Sequence, residues 1–556
     1  MASRRIVLEG QLCSRAMALG RARLVHPAHF VVDERPIGPR RVAPETRRFE
    51  QALADARAEL AALRGQLSGS LVMELGEMLD AHALLLEDPA FIDAVRERIS
   101  GERVGAHAAL KRERDRLMAE FEAIDDPYLR SRGEDIEQVI GRVIAALYRD
   151  AEERIDPASL AGEIIVTDQV SPADLASWHE HGILGVVITG GNPLSHSAIL
   201  ARNLQLPMLC GCQDALSQVH DGDVILIEGE PPRLVLHPDQ NDQARFEAWQ
   251  AQVARETQRL GRLRKAPTRS RDGTDVSLWV NAEREEDIRE AWKLGAAGVG
   301  LYRTEFLFLQ RAGLPDEEEQ YRAYAAAVRA MRGRPVTFRT LDIGADKADR
   351  SGLALSQEPN PALGLRGVRL SLARPEVFAI QLRAIVRAAA LGPVRVLVPM
   401  VANVRELRAV RTMLATAVRE LASAGYELGE RISLGAMVEV PSAAIAIDTL
   451  LTEADFVSIG TNDLTQYLLA ADRNNDNVAG LYDPGHPALA FLIERVAVAA
   501  RGAGKAVAVC GEMAGDPDFT GHLLRLGIRE LSMHPSALLP VRQAVAAVDL
   551  GTGAAA

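Results

Sequence analysis

Between about residue 270 and residue 540 the chain alternates short β-rich runs with helical stretches, and this alternation constrains the fold more than any other feature. The runs fall at residues 276–280, 297–301, 336–338, 367–370, 394–400, 434–438, 455–459 and 506–510. Eight such segments, most followed by a helical pattern, predict a (β/α)8 barrel of the TIM type. In that architecture the chemistry gathers where strands end.

The residues immediately after each run are therefore informative. Leu301-Tyr302 leads into Arg303-Thr304-Glu305, and Thr337-Phe338 into Arg339-Thr340-Leu341-Asp342, with Lys347 shortly after. Val438 is followed by Glu439, Gly460-Thr461 by Asn462-Asp463, and Val509 by Cys510-Gly511-Glu512. Any one of these is ordinarily a surface ion pair, a solvated carboxylate or a core thiol. Their convergence on successive strand ends points instead to a site. Guanidinium forks match phosphate and carboxylate bidentately and keep their charge. Glu439 and Asp463 supply hard oxygens of the kind magnesium takes, one or two from protein and the rest from substrate and water. The implied ligand is a small phosphorylated acid.

Ahead of the barrel the texture is different. Residues 161–236 hold β-rich runs at 163–166, 185–188 and 223–227, predicting a small α/β domain. Within it the loop Thr189-Gly190-Gly191-Asn192-Pro193-Leu194-Ser195 delivers His196 to the start of a segment with helical spacing. Unpaired N–H groups and the positive end of the helix dipole favour a phosphate there, which suits a phosphorylated imidazole. From Pro44 to about Arg154, apolar residues such as Phe49, Leu53, Ala56, Leu60 and Leu63 recur at helical spacing, predicting a bundle of about four helices. Residues 238–265 read as a polar helical linker.

At 556 residues, 47% hydrophobic and 25% charged, the chain matches a soluble protein of roughly two to four domains. The formal charge of −12 argues against nucleic acid as the main partner. No run approaches the ~18 apolar residues of a membrane span, and Glu9 comes too early for a signal peptide, so a cytoplasmic location without membrane insertion is expected. The cysteines Cys13, Cys210, Cys212 and Cys510 are too scattered to indicate a disulfide framework or a zinc site.

The segments Gly300-Leu301-Tyr302-Arg303-Thr304-Glu305-Phe306-Leu307-Phe308, Arg339-Thr340-Leu341-Asp342-Ile343-Gly344-Ala345-Asp346-Lys347, Asn360-Pro361-Ala362-Leu363-Gly364-Leu365-Arg366, Ser458-Ile459-Gly460-Thr461-Asn462-Asp463-Leu464-Thr465-Gln466-Tyr467 and Cys510-Gly511-Glu512-Met513-Ala514-Gly515-Asp516 resemble Enzyme I of the bacterial phosphoenolpyruvate-dependent sugar phosphotransferase system. The likeness runs nearly end to end, including His82-Ala83-Leu84-Leu85-Leu86-Glu87-Asp88 and Asp126-Pro127-Tyr128-Leu129 in the helical part. It implies a multidomain α/β chain. Residues 1–25 and 156–237 would form a swivelling phosphohistidine domain, 26–155 an inserted helical domain that binds the carrier protein, and 238–265 a linker. Residues 266–545 would form the phosphoenolpyruvate-binding barrel and 546–556 a tail.

The implied activity is Mg2+-dependent autophosphorylation of His196 by phosphoenolpyruvate, with release of pyruvate and onward transfer to a histidine of the phosphocarrier HPr. By matching position Arg303, Arg339 and Arg473 hold the substrate with Asn462, while Arg366 and Lys347 support the phosphate. Glu439 and Asp463 hold the metal, and Cys510 protonates the enolate carbon. A homodimer through the barrel is also implied. Two positions depart from the family: Leu194 stands where threonine is usual and Leu365 where tryptophan is common. The alternatives are a regulatory paralogue or low-activity scaffold of the same system and, further off, a relative of pyruvate dikinase or phosphoenolpyruvate synthase.

Overall fold

The computed structural model of the chain describes residues 5–14, 17–25, 35–66, 79, 82–122, 136, 139–144, 146–147, 157–191, 196–309, 313–344, 353, 358, 360–429, 431–472 and 478–551. They divide into two compact units, Met1–Val253 and Ala254–Ala556. The boundary falls inside a long helix, Gln240–Arg262, where the sequence predicts a helical linker.

The first unit is built on an eight-stranded sheet. Its strands are β1 (Ile6–Glu9), β2 (Gln11–Ser14), β3 (Ala18–Leu24), β4 (Glu163–Thr167), β5 (Gly185–Ile188), β6 (Met208–Cys210), β7 (Val224–Gly229) and β8 (Pro232–Leu236). They lie in the order β1-β8-β7-β3-β4-β5-β6-β2, with β3, β4, β5 and β6 mutually parallel. The parallel centre is covered on both faces, which is why β4 and β5 read as continuous apolar runs rather than alternating ones. Between β3 and β4 the chain leaves the sheet for helices Val42–Gln66, Pro89–Gly101 and Ala106–Glu122. Asp88 caps the second of these by accepting from the Ala90 N–H at 2.9 Å, and Phe91, Val95 and Ile99 form its buried stripe. All four cysteines are buried and free of disulfides. Cys210 and Cys212 serve core clusters on opposite faces of the sheet, with Cys13 packed against Cys210.

One ion cluster fastens the long helix to this sheet. Asp242, fully buried, accepts from Arg5 Nε at 2.6 Å and Nη2 at 2.9 Å and from Arg245 Nη2 at 2.6 Å. Arg245 continues to the buried Glu228 on β7 at 2.8 Å, which Arg233 on β8 also reaches.

The second unit is a closed barrel. Its strands are β9 (Ser277–Ala282), β10 (Val299–Arg303), β11 (Val336–Arg339), β12 (Val394–Val398), β13 (Ser433–Val438), β14 (Phe456–Ile459), β15 (Ala506–Val509) and β16 (Glu530–Met533). All neighbours are parallel, and β16 closes on β9 through Glu530↔Ser277 to Met533↔Val280. Apolar side chains on the outer strand faces pack against the surrounding helices in one large core. The interior is filled too. At the N-terminal end Arg395 lies with its guanidinium 4.8 Å from the Trp279 ring and 5.4 Å from the Phe456 ring, and 3.7 Å from Glu530. Phe456 fits only because β13 carries Gly435 opposite it, where a Cβ would stand 2.4 Å from the ring. Above this floor Leu301, Leu397, Met437 and Cys510 pack together.

The barrel expectation holds with one exchange of strands. Residues 367–370 are not a strand: Gly367, at φ +57, turns the chain into helix Val368–Ala373. A four-residue apolar run is compatible with either element, and here Val368 and Leu370 are buried in two different core clusters on either side of the helix. The eighth strand is Glu530–Met533, whose Glu-Leu-Ser-Met sequence is too short and too polar to signal a strand alone, because Glu530 and Ser532 face the barrel interior. Among the described residues no helix is long and apolar enough to cross a membrane.

The Arg5 guanidinium holds the Asp242 carboxyl well below the usual carboxylate range, so its contribution is present above the ordinary value near 3.8 and is lost as pH falls through the lower folded-state value. Asp242→Asn is expected to destabilise the first unit by about 2 kcal/mol at pH 7. Urea denaturation of the full chain at pH 7 and in stronger acid checks this; an equal deficit at both would refute the charge-based account.

Candidate active site at the barrel rim

The C-terminal ends of the strands form one rim, and the network there starts from Arg339, the last residue of β11. Its Nη2 donates to Glu305 Oε1 at 3.1 Å and its Nη1 lies 3.2 Å from Asp342 Oδ2. Glu305 Oε1 also accepts from the Asp342 backbone N–H at 3.0 Å, so one carboxylate oxygen joins the segments that come after β10 and β11. Asp342 in turn accepts from Arg366 Nε at 3.3 Å and Nη2 at 3.1 Å. Arg366 completes its fork with the Tyr467 hydroxyl at 3.1 Å and lies 3.7 Å from Asp463. Burial works against the charge on Arg339 and Arg366, yet the carboxylates around them hold both guanidinium groups above their ordinary value. They remain cations.

Glu439 comes directly after β13 and is buried, its Oε1 accepting from the Met400 N–H at 2.5 Å. Burial and the neighbouring Asp463 and Asp342 charges push its carboxyl up to about 8. Arg303 ends β10 and is held by Glu283 through an Nη1–Oε1 bond of 2.8 Å. Asn462 and Glu512 clasp each other, the Asn462 Nδ2 donating to Glu512 Oε1 at 2.8 Å and the Glu512 N–H to Asn462 Oδ1 at 2.9 Å. The Cys510 thiol, 4% exposed, sits 3.6 Å from the Ile459 carbonyl. Burial raises it to about 11, with the Ser458 hydroxyl working the other way, so it carries its proton throughout the neutral range.

Arg303, Arg339, Arg366, Glu439, Asn462, Asp463 and Cys510 thus share the rim. Lys347 and Arg473 lie outside the described residues, as do residues 192–195 and with them Leu194. The backbone of His196 begins helix His196–Asn203 in the first unit; its side chain is outside what is described. Next to it the Ser197 hydroxyl donates to the Val170 carbonyl at 2.7 Å, and at the far end Arg202 Nε reaches the Cys13 carbonyl at 3.0 Å, so both ends of this helix are tied to the sheet domain. Leu365 is half-buried, its N–H donating to Glu358 at 3.0 Å.

Sequence reasoning did not assign roles to Glu283, Glu305, Asp342, Tyr467 or Glu512. Glu305, Asp342 and Glu512 stand in the strand-end motifs and were open to view. Glu283 lies in the acidic run Glu283-Arg284-Glu285-Glu286-Asp287, which reads simply as the first turn of a helix.

A divalent ion fits this donor set. Among the described residues no group of three or more His, Cys, Asp and Glu side chains forms a complete metal shell. Glu439 and Asp463, however, approach closely enough to repel one another, which leaves a pair of hard oxygen donors whose mutual repulsion a cation would relieve. Across the rim the carboxyl groups of Glu283, Glu305, Asp342, Glu439, Asp463 and Glu512 outnumber the guanidinium groups of Arg303, Arg339 and Arg366.

Comparison with known proteins agrees with this chemistry. Three families of PEP-utilising enzyme domains match in order: the N-terminal domain at residues 9–132, the mobile domain at 160–231 and the PEP-binding domain at 257–550. A phosphoenolpyruvate-protein phosphotransferase of Cupriavidus necator is 42% identical over 97% of this chain and 94% of its own length. Proteins of the same name from Bacillus sp. strain S and Listeria monocytogenes are 37% and 36% identical, covering 97% and 98% of this chain and 93% and 94% of theirs. With relatives of this identity aligned over almost its whole length, and a rim that gathers arginines, carboxylates and a protonated thiol, the chain belongs to the phosphoenolpyruvate-protein phosphotransferase family.

Proposed function

We propose that this chain is a phosphoenolpyruvate-protein phosphotransferase that phosphorylates its own His196 from phosphoenolpyruvate and passes the group to a histidine of the phosphocarrier HPr, the first step of sugar uptake by the phosphotransferase system. The observation that carries the reading is the buried Arg339–Glu305–Asp342–Arg366 network at the strand ends of a phosphoenolpyruvate-binding barrel. Arg303 and Arg339, with Asn462 and Arg473, hold the phosphate and carboxylate of the substrate; Arg366 and Lys347 support the phosphate. Glu439 and Asp463 hold Mg2+, which when bound neutralises charge on the phosphate and on the enolate oxygen.

Phosphoryl transfer needs positioning and charge neutralisation more than covalent help; the guanidinium groups held by Glu283, Glu305 and Asp342 supply the positioning, and the metal would complete the neutralisation. The P–O bond to the enol oxygen breaks as the P–N bond to His196 forms, leaving a pyruvate enolate. The Cys510 thiol then donates its proton to the enolate carbon, and its raised value suits an acid that must stay protonated until the carbanion character develops. Residues 1–25 and 156–237 act as the phosphohistidine domain, 26–155 as the carrier-binding helical domain, 238–265 as the linker, 266–545 as the barrel and 546–556 as the tail. The free cysteines suit a cytoplasmic location. The exposed apolar side chains of Ile445 (59%), Phe491 (66%) and Val498 (51%), on helices Pro441–Ile445 and Pro487–Gly502, support dimerisation through the barrel.

Incubation with phosphoenolpyruvate carrying a labelled phosphoryl group is expected to label the wild type and not His196→Ala; a folded wild type that takes up no label with Mg2+ present would sink the enzymatic reading. Cys510→Ala is expected to bind phosphoenolpyruvate but to form pyruvate about 100-fold more slowly. Unchanged pyruvate formation would remove the thiol from the mechanism. Glu439→Gln preserves an acceptor for the Met400 N–H while removing a metal ligand, and labelling of His196 is expected to fall about 100-fold without recovery in excess Mg2+. Full activity in that variant would place the metal elsewhere.

A further inference from the structure

The paired part of β10 and β11 ends at Arg303↔Arg339, so the regular ladder stops at the two arginines proposed to hold the substrate. Side chains continue the joint beyond it. The Thr304 hydroxyl donates to the Arg339 carbonyl at 2.9 Å, and Gln381, on the outer helix Pro375–Ala388, donates from Nε2 to that same hydroxyl at 3.1 Å. The Gln381 Oε1 accepts from the Leu341 N–H at 3.0 Å. One amide group therefore clamps the chain just past Arg303 and just past Arg339.

The clamp is itself anchored. Gln381 Nε2 also donates to the Tyr324 hydroxyl at 3.3 Å, Tyr324 donates to Gln320 Oε1 at 3.1 Å, and Gln320 Nε2 donates to the Pro315 carbonyl at 3.1 Å. Gln320, Tyr324 and Thr304 are completely buried and Gln381 is 1% exposed. Burying four polar side chains costs stability relative to apolar residues of like size, and such a chain is worth keeping only where its direction matters. Here it runs from the carbonyl of the buried Pro315 to Thr304, next to Arg303 and bonded to the Arg339 carbonyl, and to the Leu341 N–H, two residues past Arg339.

We propose that Gln381 is a positioning residue for phosphoenolpyruvate binding, acting through Thr304 and Leu341 to hold the backbones of Arg303 and Arg339 at the separation that the phosphate and carboxylate of one substrate require. It touches neither substrate nor metal. The proposal rests on the functional reading above and adds to it a residue outside the barrel strands.

Steady-state kinetics of the full chain with phosphoenolpyruvate, Mg2+ and HPr test it. Gln381→Met keeps the volume and loses the bonds, and Thr304→Val does the same for the hydroxyl. Each is expected to raise KM for phosphoenolpyruvate about tenfold, the worth of one hydrogen bond, with kcat within about threefold. Thr304→Ser retains the hydroxyl and is expected to stay within about twofold of wild type. In an Arg339→Lys background the further addition of Gln381→Met is expected to change KM little, because the pair of arginines whose separation it holds is already broken. A Gln381→Met protein with wild-type KM overturns the proposal, as does a KM rise of equal size in the Arg339→Lys background, which would mark a general structural effect. If Gln381→Met does not fold, the contrast between Thr304→Val and Thr304→Ser decides the matter, equal KM values refuting it. A wild type that consumes no phosphoenolpyruvate would sink the functional reading and this proposal together, whereas an active wild type beside an unmoved variant sinks this proposal alone.

Discussion

The rim depends on one shared carboxylate oxygen. Glu305 Oε1 receives the Arg339 guanidinium and the Asp342 backbone N–H together, so a charge pair and a backbone turn are fixed by the same atom. Burial opposes the charged form of Glu305 itself, and Arg339 is what works against that. Neither partner of the pair is tolerable there alone: a buried charge that loses its partner is costly by several kcal/mol, roughly 3–5 in comparable cases. From this pair the network extends through Asp342 to Arg366 and from there to the Tyr467 hydroxyl, so four charged side chains are locked before any ligand arrives.

Such preorganisation explains how a rim with more carboxyl than guanidinium groups can still receive an anion. The arginines are held rigidly by partners that also compete with the ligand for them. Glu439 and Asp463 stand close enough to repel one another, and they are the pair proposed above to meet a cation. Glu283, Glu305 and Asp342, by contrast, hold arginines in place.

Much of this was legible from the chain. The β-rich runs and the residues directly after them located Arg303, Arg339, Glu439, Asn462, Asp463 and Cys510 without coordinates, because strand ends in a parallel barrel share one face. The strand Glu530–Met533 was not legible: its inward positions carry Glu530, paired with Arg395 across the barrel floor, and Ser532, bonded to Asn281 at 2.7 Å, so the apolar alternation that marks a strand is missing. The helix Val368–Ala373 was misread for the converse reason, an apolar tetrapeptide after a glycine whose positive φ only coordinates reveal. Gln381 was invisible because a glutamine in an amphipathic helix reads as a solvated residue, and only tertiary packing places it under two strand ends.

The barrel floor has a consequence of its own. Trp279, Phe456 and the stacked Arg395, braced by Glu530, close the N-terminal end of the barrel completely enough that even a methyl group at Gly435 would collide with the plug. That end of the barrel is packed shut. A ligand held by the arginines and carboxylates of the rim therefore has to arrive and depart on the C-terminal side of the barrel.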